Sequence, residues 1–242
     1  MVEEKYTGMV PSSMKYIFDV DGTLTPSRGE MDPEFAYFFS IWMQDKEVYL
    51  ATGSDYPKTS EQVPAYILNS CEKIYCCAGN SIWSKGEEIA TSSWKLPDEC
   101  HEFLDHYLDT SIFPLRTGMH FDHRPGLCNF SIIGRGCSPQ QRKQYEAHDK
   151  NSHERVKIAE AFNWLFGDIH AQVAGATGID IMPKGKDKAQ IADQLTGPIV
   201  FYGDKMDPGG NDYTLAVEVA KRENSVSIMV KDWEETYAYL HG

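Results

Sequence analysis

The stretch KYIFDV, residues 15–20, is apolar on both parities up to its aspartate and stops at Asp21-Gly22. Such a run predicts a short strand buried on both faces, as in a parallel sheet. MDPEFAYFFSIWMQD, residues 31–45, follows it. There Asp32 is placed to cap a helix with Pro33 at its first position, and Phe35, Phe38, Phe39 and Trp42 recur at helical spacing. Those aromatics are read as core packing. EVYLATGSD (47–55) is the next apolar strand, ending in a Thr-Gly-Ser turn, and KIYCCAGN (73–80) reads as another. Strand, helix and strand in this order predict parallel pairing through right-handed crossovers.

Beyond residue 81 the texture changes. SIWSKGEEIA (81–90) is a hairpin candidate with Lys85-Gly86 at its turn, while NFSII (129–133) and DIHAQV (168–173) read as short strands. Helical stretches are predicted over 98–108 and 140–166, the second broken around 150–152. After residue 185 the buried-strand texture returns in GPIVFYGD (197–204) and SVSIMV (225–230), each followed by a helical segment. The expected fold is α/β: a Rossmann-like parallel-sheet core over residues 1–81 and 185–242, with an α+β cap built on an antiparallel sheet inserted at 82–184. No internal repeat or low-complexity segment interrupts it.

Composition narrows the function classes. The chain has 242 residues, 41% of them hydrophobic and 24% charged, which suits a globular protein with a buried core. A formal net charge of -13 argues against nucleic acid or an anionic membrane as a partner. It leaves small anionic substrates open, because a site responds to local charge. The six cysteines (Cys71, Cys76, Cys77, Cys100, Cys128, Cys137) form no Cys-x-x-Cys pair and are read as free thiols of a reducing compartment. The first residues lack a basic start followed by an apolar stretch, and no apolar run approaches the ~20 residues that span a bilayer, so a cytoplasmic protein is expected.

Chemistry enters at the strand ends. Alternate residues of an extended chain point the same way, so Asp19 and Asp21 are expected on one side at the carboxyl end of the first strand. FYGDKMDPGGND (201–212) brings Asp204, Asp207 and Asp212 to the end of a later strand. If the two strands are neighbours, Asp204 reaches the same crevice. Carboxylates gathered there repel one another unless a cation sits among them, and an oxygen-only set in a half-open site suggests Mg²⁺.

DVDGT (19–23) resembles the first signature of the haloacid dehalogenase superfamily of phosphotransferases. Thr52-Gly53-Ser54 is similar to its second, KGKDK (184–188) to its third and GDKMDPGGND (203–212) to its fourth. The resemblance implies that Asp19 is a nucleophile taking the phosphoryl group as an aspartyl phosphate, and that Asp21 is the general acid/base, with its backbone carbonyl on the metal. It implies a Mg²⁺ site completed by Asp204, with Asp212 in support. Lys188 would balance the charge of Asp19, and Thr52 or Ser54 would bond the transferring phosphoryl oxygens.

The predicted cap carries HFDHRPGLCNFSIIGRGCSPQQR (120–142), which gathers Arg124, Arg135 and Arg142, and Arg28 follows the nucleophile loop. Arginine makes forked contacts with phosphate oxygens. Arg124-Pro-Gly, Asn129, Gly134-Arg135 and Arg142 closely resemble the substrate loop of eukaryotic-type α-phosphomannomutases. GIDIMPKGKDK (178–188), TLTPSR (23–28) and the acidic loop are similar to that family too. By this resemblance Arg124, Arg135 and Arg142 grip the phosphate that is not reacting, while Arg28 and Asp180 contact the sugar or its phosphate. The implied reaction moves a phosphoryl group between C1 and C6 of mannose or glucose phosphates, with a hexose 1,6-bisphosphate as intermediate and activator. Members of the family commonly pair through the cap, so the resemblance implies a homodimer.

Two positions depart from the family pattern. Gly178 stands where a serine usually contacts the distal phosphate, and Thr52 replaces the first glycine of a Gly-Gly-Ser turn. Both fit the alternative of a Mg²⁺-dependent sugar-phosphate phosphatase, in which water discharges the aspartyl phosphate. A phospho-aspartate binding module without turnover is a third reading, against which Asp21 and the cap both speak. His120-x-x-His123 with Asp122 is set aside as a zinc site, because residues three apart on a strand face opposite ways.

Overall fold

A computed structural model describes residues 13–242; the first residues of the expected core, 1–12, lie outside the described residues. In chain order the elements are β1 (Lys15–Phe18), α1 (Pro33–Trp42), β2 (Glu47–Ala51), α2 (Tyr56–Gln62), α3 (Ala65–Ser70), β3 (Lys73–Cys76), β4 (Ser81–Ser84) and β5 (Glu87–Thr91). Then come α4 (Asp98–Thr110), β6 (Phe121–Arg124), β7 (Leu127–Phe130), α5 (Pro139–Ser152), α6 (Glu154–Leu165), β8 (Ile169–Ala174) and β9 (Gly178–Pro183). The chain ends with α7 (Gln190–Asp193), β10 (Ile199–Gly203), α8 (Tyr213–Ala220), β11 (Val226–Met229) and α9 (Trp233–His241).

The larger sheet has the order β11-β10-β1-β2-β3-β4-β5. It is parallel from β11 to β3, and β1 pairs with both β10 and β2, so Phe18 lies opposite Tyr202 on one side and Leu50 on the other. The chain therefore leaves β1 in opposite directions around a topological switch point, where α/β sheets open a crevice at their carboxyl edge. Asp32 caps α1 by accepting from the amides of Glu34 and Phe35, and Phe35 and Phe39 are buried beneath the sheet. Phe38 packs on Tyr237 and His241, and Trp42 stacks on Phe39, so the aromatics of α1 serve packing.

The hairpin of residues 81–91 corrects the expected boundary. It belongs to the larger sheet: β4 pairs antiparallel with β3, placing Ile74 opposite Trp83, and β5 pairs with β4. A tight turn through Cys77 and Ala78, both at positive φ, folds the chain straight back onto β3. The insert thus begins after Thr91, some ten residues later than the boundary placed at 82. Its own sheet is antiparallel, with the order β6-β7-β9-β8. The long helical stretch breaks at His153, which adopts a left-handed φ of 54° between α5 and α6. Strands β6 and β9 and helices α2 and α3 were not foreseen from periodicity, and residues 131–133 of NFSII lie beyond β7.

The apolar clusters follow this division: one fills the insert, and two lie on the opposite faces of the larger sheet. Phe130, Tyr145, Phe162, Ile179 and Ile181 form a core within the insert, whereas Leu127 and Met182 of the insert pack into the cluster beneath the larger sheet. These two side chains seat the cap on the core. At the turn between β6 and β7, Gly126 (φ 68°) passes so close to Asn80 that a Cβ would lie 2.5 Å from the Asn80 side chain. Among the described residues no helix is long and apolar enough to cross a membrane.

Candidate active site

A cavity of about 370 Å³ opens between the carboxyl edge of the larger sheet and the cap. Its walls include Asp19, Asp21, Arg28, Thr52 and Ser54 from the core and Arg124, Arg135, Arg142, Gly178 and Asp180 from the cap. Asp19 and Asp21 both face this one space.

Asp19 follows β1 directly, and its amide bonds the carbonyl of Tyr202, which continues the β1–β10 ladder by one residue. Its carboxylate is almost completely buried and accepts from Lys188 Nζ at 2.5 Å; the same ammonium donates to Asp212 Oδ1 at 2.6 Å. Burial and the neighbouring Asp212 raise the Asp19 carboxyl to about 8, although Lys188 pulls the other way. Lys188 is itself raised, because Asp19 and Asp212 outweigh the burial that opposes its charge.

One oxygen each of Asp19, Asp204 and Asp212 lies within 4.8 Å of the others. Asp204 Oδ2 accepts from Lys205 Nζ at 2.5 Å, while its Oδ1 is buried with no partner. Gly22, at φ 89°, leaves open the space beside this carboxylate: a Cβ there would meet Asp204 Oδ2 at 2.5 Å. An all-oxygen donor set with an orphaned oxygen fits a hard divalent cation. The carboxylate of Asp21 stands outside this cluster. It accepts the amide of Arg28 at 2.6 Å and Gln62 Nε2 at 2.9 Å on Oδ1, and Ser54 Oγ at 3.5 Å on Oδ2. Thr52 is buried, and its hydroxyl accepts the amide of Ser54 at 3.0 Å, fixing the turn.

Arg28, Arg124, Arg135 and Arg142 line the same cavity, but they do not face open space alone. Asp122 Oδ2 accepts Arg124 Nε at 2.9 Å, Arg124 Nη2 at 2.7 Å and Arg135 Nη2. Arg124 also reaches across to the core, donating to the carbonyl of Gly53 at 2.9 Å. Arg135 keeps a buried Nε with no partner. Arg28 adopts a left-handed φ of 63°, a conformation that costs a residue with a side chain and is held here by the Asp21 bond. Burial and the nearby Arg142 lower its guanidinium below the ordinary value. At Gly178 a Cβ would lie 2.5 Å from Asn129 Nδ2, which donates to Asp180 Oδ1 at 2.6 Å. The missing side chain is what lets Asn129 take this position.

A family model described as eukaryotic phosphomannomutase matches residues 37–241. The chain belongs to the eukaryotic phosphomannomutase family. It is 31% identical over 230 residues to a phosphomannomutase of Spinacia oleracea, covering 91% of each chain. It is 33% identical over 211 residues to one of Arabidopsis thaliana, covering 82% of this chain and 85% of the relative. The fold is shared more widely: a haloacid dehalogenase-like hydrolase from Bacteroides thetaiotaomicron superposes with a TM-score of 0.58 at 15% identity, over 95% of this chain and 99% of that one.

Three residues of this phosphomannomutase-family site escaped the sequence reading. Gln62 ends α2, whose short pattern gives no signal, and Lys205 was read only as part of its motif. Asp122 was weighed as a zinc ligand. Its spacing of two from Arg124 on a strand places both side chains on one face, and that was the usable signal.

Proposed function

We propose that the chain interconverts mannose 1-phosphate and mannose 6-phosphate, with glucose phosphates as further substrates. The observation that carries this is the pairing of two unlike anion sites across one cavity: the Asp19–Lys188 end on the core and the arginines of the cap opposite. A molecule with a phosphate at each end matches such a cavity. A simple phosphatase needs only the first.

In this reading Asp19 attacks the phosphorus of a hexose 1,6-bisphosphate, the P–O bond to the sugar breaks, and Asp21 protonates the leaving sugar oxygen. In reverse, Asp21 takes the proton of an incoming sugar hydroxyl as that oxygen bonds to phosphorus and the P–O bond to Asp19 breaks. The bisphosphate formed by this second transfer turns around, exchanging its ends, before Asp19 attacks again. Lys188 holds the nucleophile, and Thr52 and Ser54 offer hydroxyls to the moving oxygens. Arg124, Arg135 and Arg142 hold the idle phosphate, and Arg28 and Asp180 hold the sugar side. Asp19, Asp204, Asp212 and the main-chain carbonyl of Asp21 would hold Mg²⁺. When bound, that ion supplies the positive charge that lets an anionic carboxylate approach an anionic phosphate.

The deciding experiment supplies mannose 1-phosphate, Mg²⁺ and a trace of glucose 1,6-bisphosphate and follows phosphorus NMR. Mannose 6-phosphate is expected. Free phosphate without it would replace this reading with a phosphatase, and no change in either signal would overturn both.

A further inference from the structure

One cross-strand row of the cap sheet reads Asp122, Asn129, Asp180, Gln172: each faces the next in the ladder. Residues opposite one another share a face of the sheet. The rows on either side, through Cys128, Ile181 and Ala171 and through Phe130 and Ile179, are buried against the cap helices. The polar row therefore points at the core. Asp122, Asn129 and Asp180 line the cavity. Gln172, on edge strand β8, does something else: its Nε2 donates to the carbonyl of Gly210 at 2.8 Å.

Gly210 belongs to the loop between Asp204 and Asp212, and this loop is tied to itself. The Gly210 amide bonds Asp207 O at 2.8 Å, the Asp212 amide bonds Lys205 O at 3.1 Å, and the Lys205 amide bonds Asp212 Oδ2 at 3.2 Å. The position of the Gly210 carbonyl is thus linked to the acidic cluster. At the opposite edge of the same sheet, Arg124 on β6 donates to the carbonyl of Gly53. The two edges of the cap sheet are each fastened to one of the two core loops that flank Asp19.

We propose that Gln172 is a positioning residue: its donor holds the β8 edge of the cap closed against the acidic loop and keeps water from the nucleophile. The contact stands without any assumption about the reaction; its catalytic consequence rests on the mutase reading. With the bond cut, the β8 edge loosens and water enters. A water oxygen then bonds to the phosphorus carried by Asp19, the P–O bond to Asp19 breaks, the water proton passes to Asp21, and inorganic phosphate leaves instead of a sugar phosphate.

The test uses three variants of the full chain. Gln172→Leu keeps bulk without a donor, Gln172→Glu presents acceptors to a carbonyl oxygen, and Gln172→Lys restores a donor of sufficient reach. In the absence of substrate, amide exchange across residues 203–213 is expected to be about fivefold faster in the Leu and Glu variants, the weight of one hydrogen bond, and to remain wild-type in the Lys variant. Equal exchange in all four proteins, or Leu and Lys behaving alike, overturns the proposal. With mannose 1-phosphate and bisphosphate, free phosphate per sugar phosphate formed is expected to rise about fivefold in the Leu and Glu variants only. A wild-type protein that forms only free phosphate defeats the mutase reading, while the exchange experiment still decides the role of Gln172.

Discussion

Gln62 Nε2 donates to Asp21 Oδ1 at 2.9 Å, from a side chain that is itself buried and also bonds the carbonyl of Gly29. A side-chain amide thus orients the carboxylate assigned to proton transfer and ties it to the Arg28 loop. Gln62→Glu keeps the shape and replaces the donor with an oxygen that faces Asp21. Hydrogen bonds to charged groups contribute about 1.5–3 kcal/mol, so kcat is expected to fall tenfold or more. Initial rates, with melting curves showing the variant folded at the assay temperature, check this; an unaltered kcat refutes the role.

Asp19→Asn is expected to bring turnover below detection without loss of the fold. Burial and Asp212 both oppose charge at Asp19, and Lys188 keeps Asp212 as a partner in the variant. Its melting temperature is expected to equal or exceed that of the wild type. A variant that retains its rate would remove Asp19 as the nucleophile.

Arg135→Ala is expected to raise KM for hexose bisphosphate by tenfold or more, in line with the about 1.5–3 kcal/mol of a charged hydrogen bond. The Mg²⁺ concentration for half-maximal rate is expected to stay constant, because Arg135 lies in the cap with Asp122 and not with Asp204. Titrations of each against rate separate the two effects.

Binding of Mg²⁺ is expected to stabilise the fold by about 2.7 kcal/mol at a hundred times its Kd. Melting curves with the ion and with a chelator measure the shift. Asp204→Ala, which deletes the orphaned Oδ1, is expected to abolish it. A shift of equal size in that variant would place the ion elsewhere.

Alkaline pH is expected to weaken the fold through its thiols. Burial pushes Cys77 and Cys128 up to about 12 and raises Cys71 further, from an ordinary value of 9.0. Their stabilising contribution is complete below the unfolded value and is lost as pH rises toward the folded one. Above about pH 9 each buried thiol costs up to about 1.4 kcal/mol per pH unit, read as a falling denaturant midpoint. In the native protein at pH 8, Cys137, half-buried where the other five cysteines are buried, is expected to react first with a disulfide reagent.

Much of the larger sheet was legible because buried parallel strands are short apolar runs that end abruptly. Asp19 and Asp204 were readable for the same reason, since each sits at such an ending, whereas Lys188 was readable only through the resemblance of KGKDK to a family signature. The hairpin at 81–91 was misplaced because alternation identifies an antiparallel strand but not its partner; only the turn through Cys77 and Ala78 decides that it pairs with β3. Gln62 and Gln172 were illegible, since a glutamine on a short helix or an edge strand has no distinguishing pattern, and their partners lie 41 and 38 residues away.

The pleat of the cap sheet also constrains how this insert can change its length. One residue added to the two-residue turn at Pro125-Gly126, if absorbed into β6, would invert that strand and turn Asp122 toward the apolar helices. An addition of two preserves parity. Length variation compatible with the site is therefore confined to even steps within its strands, or to the connections outside them.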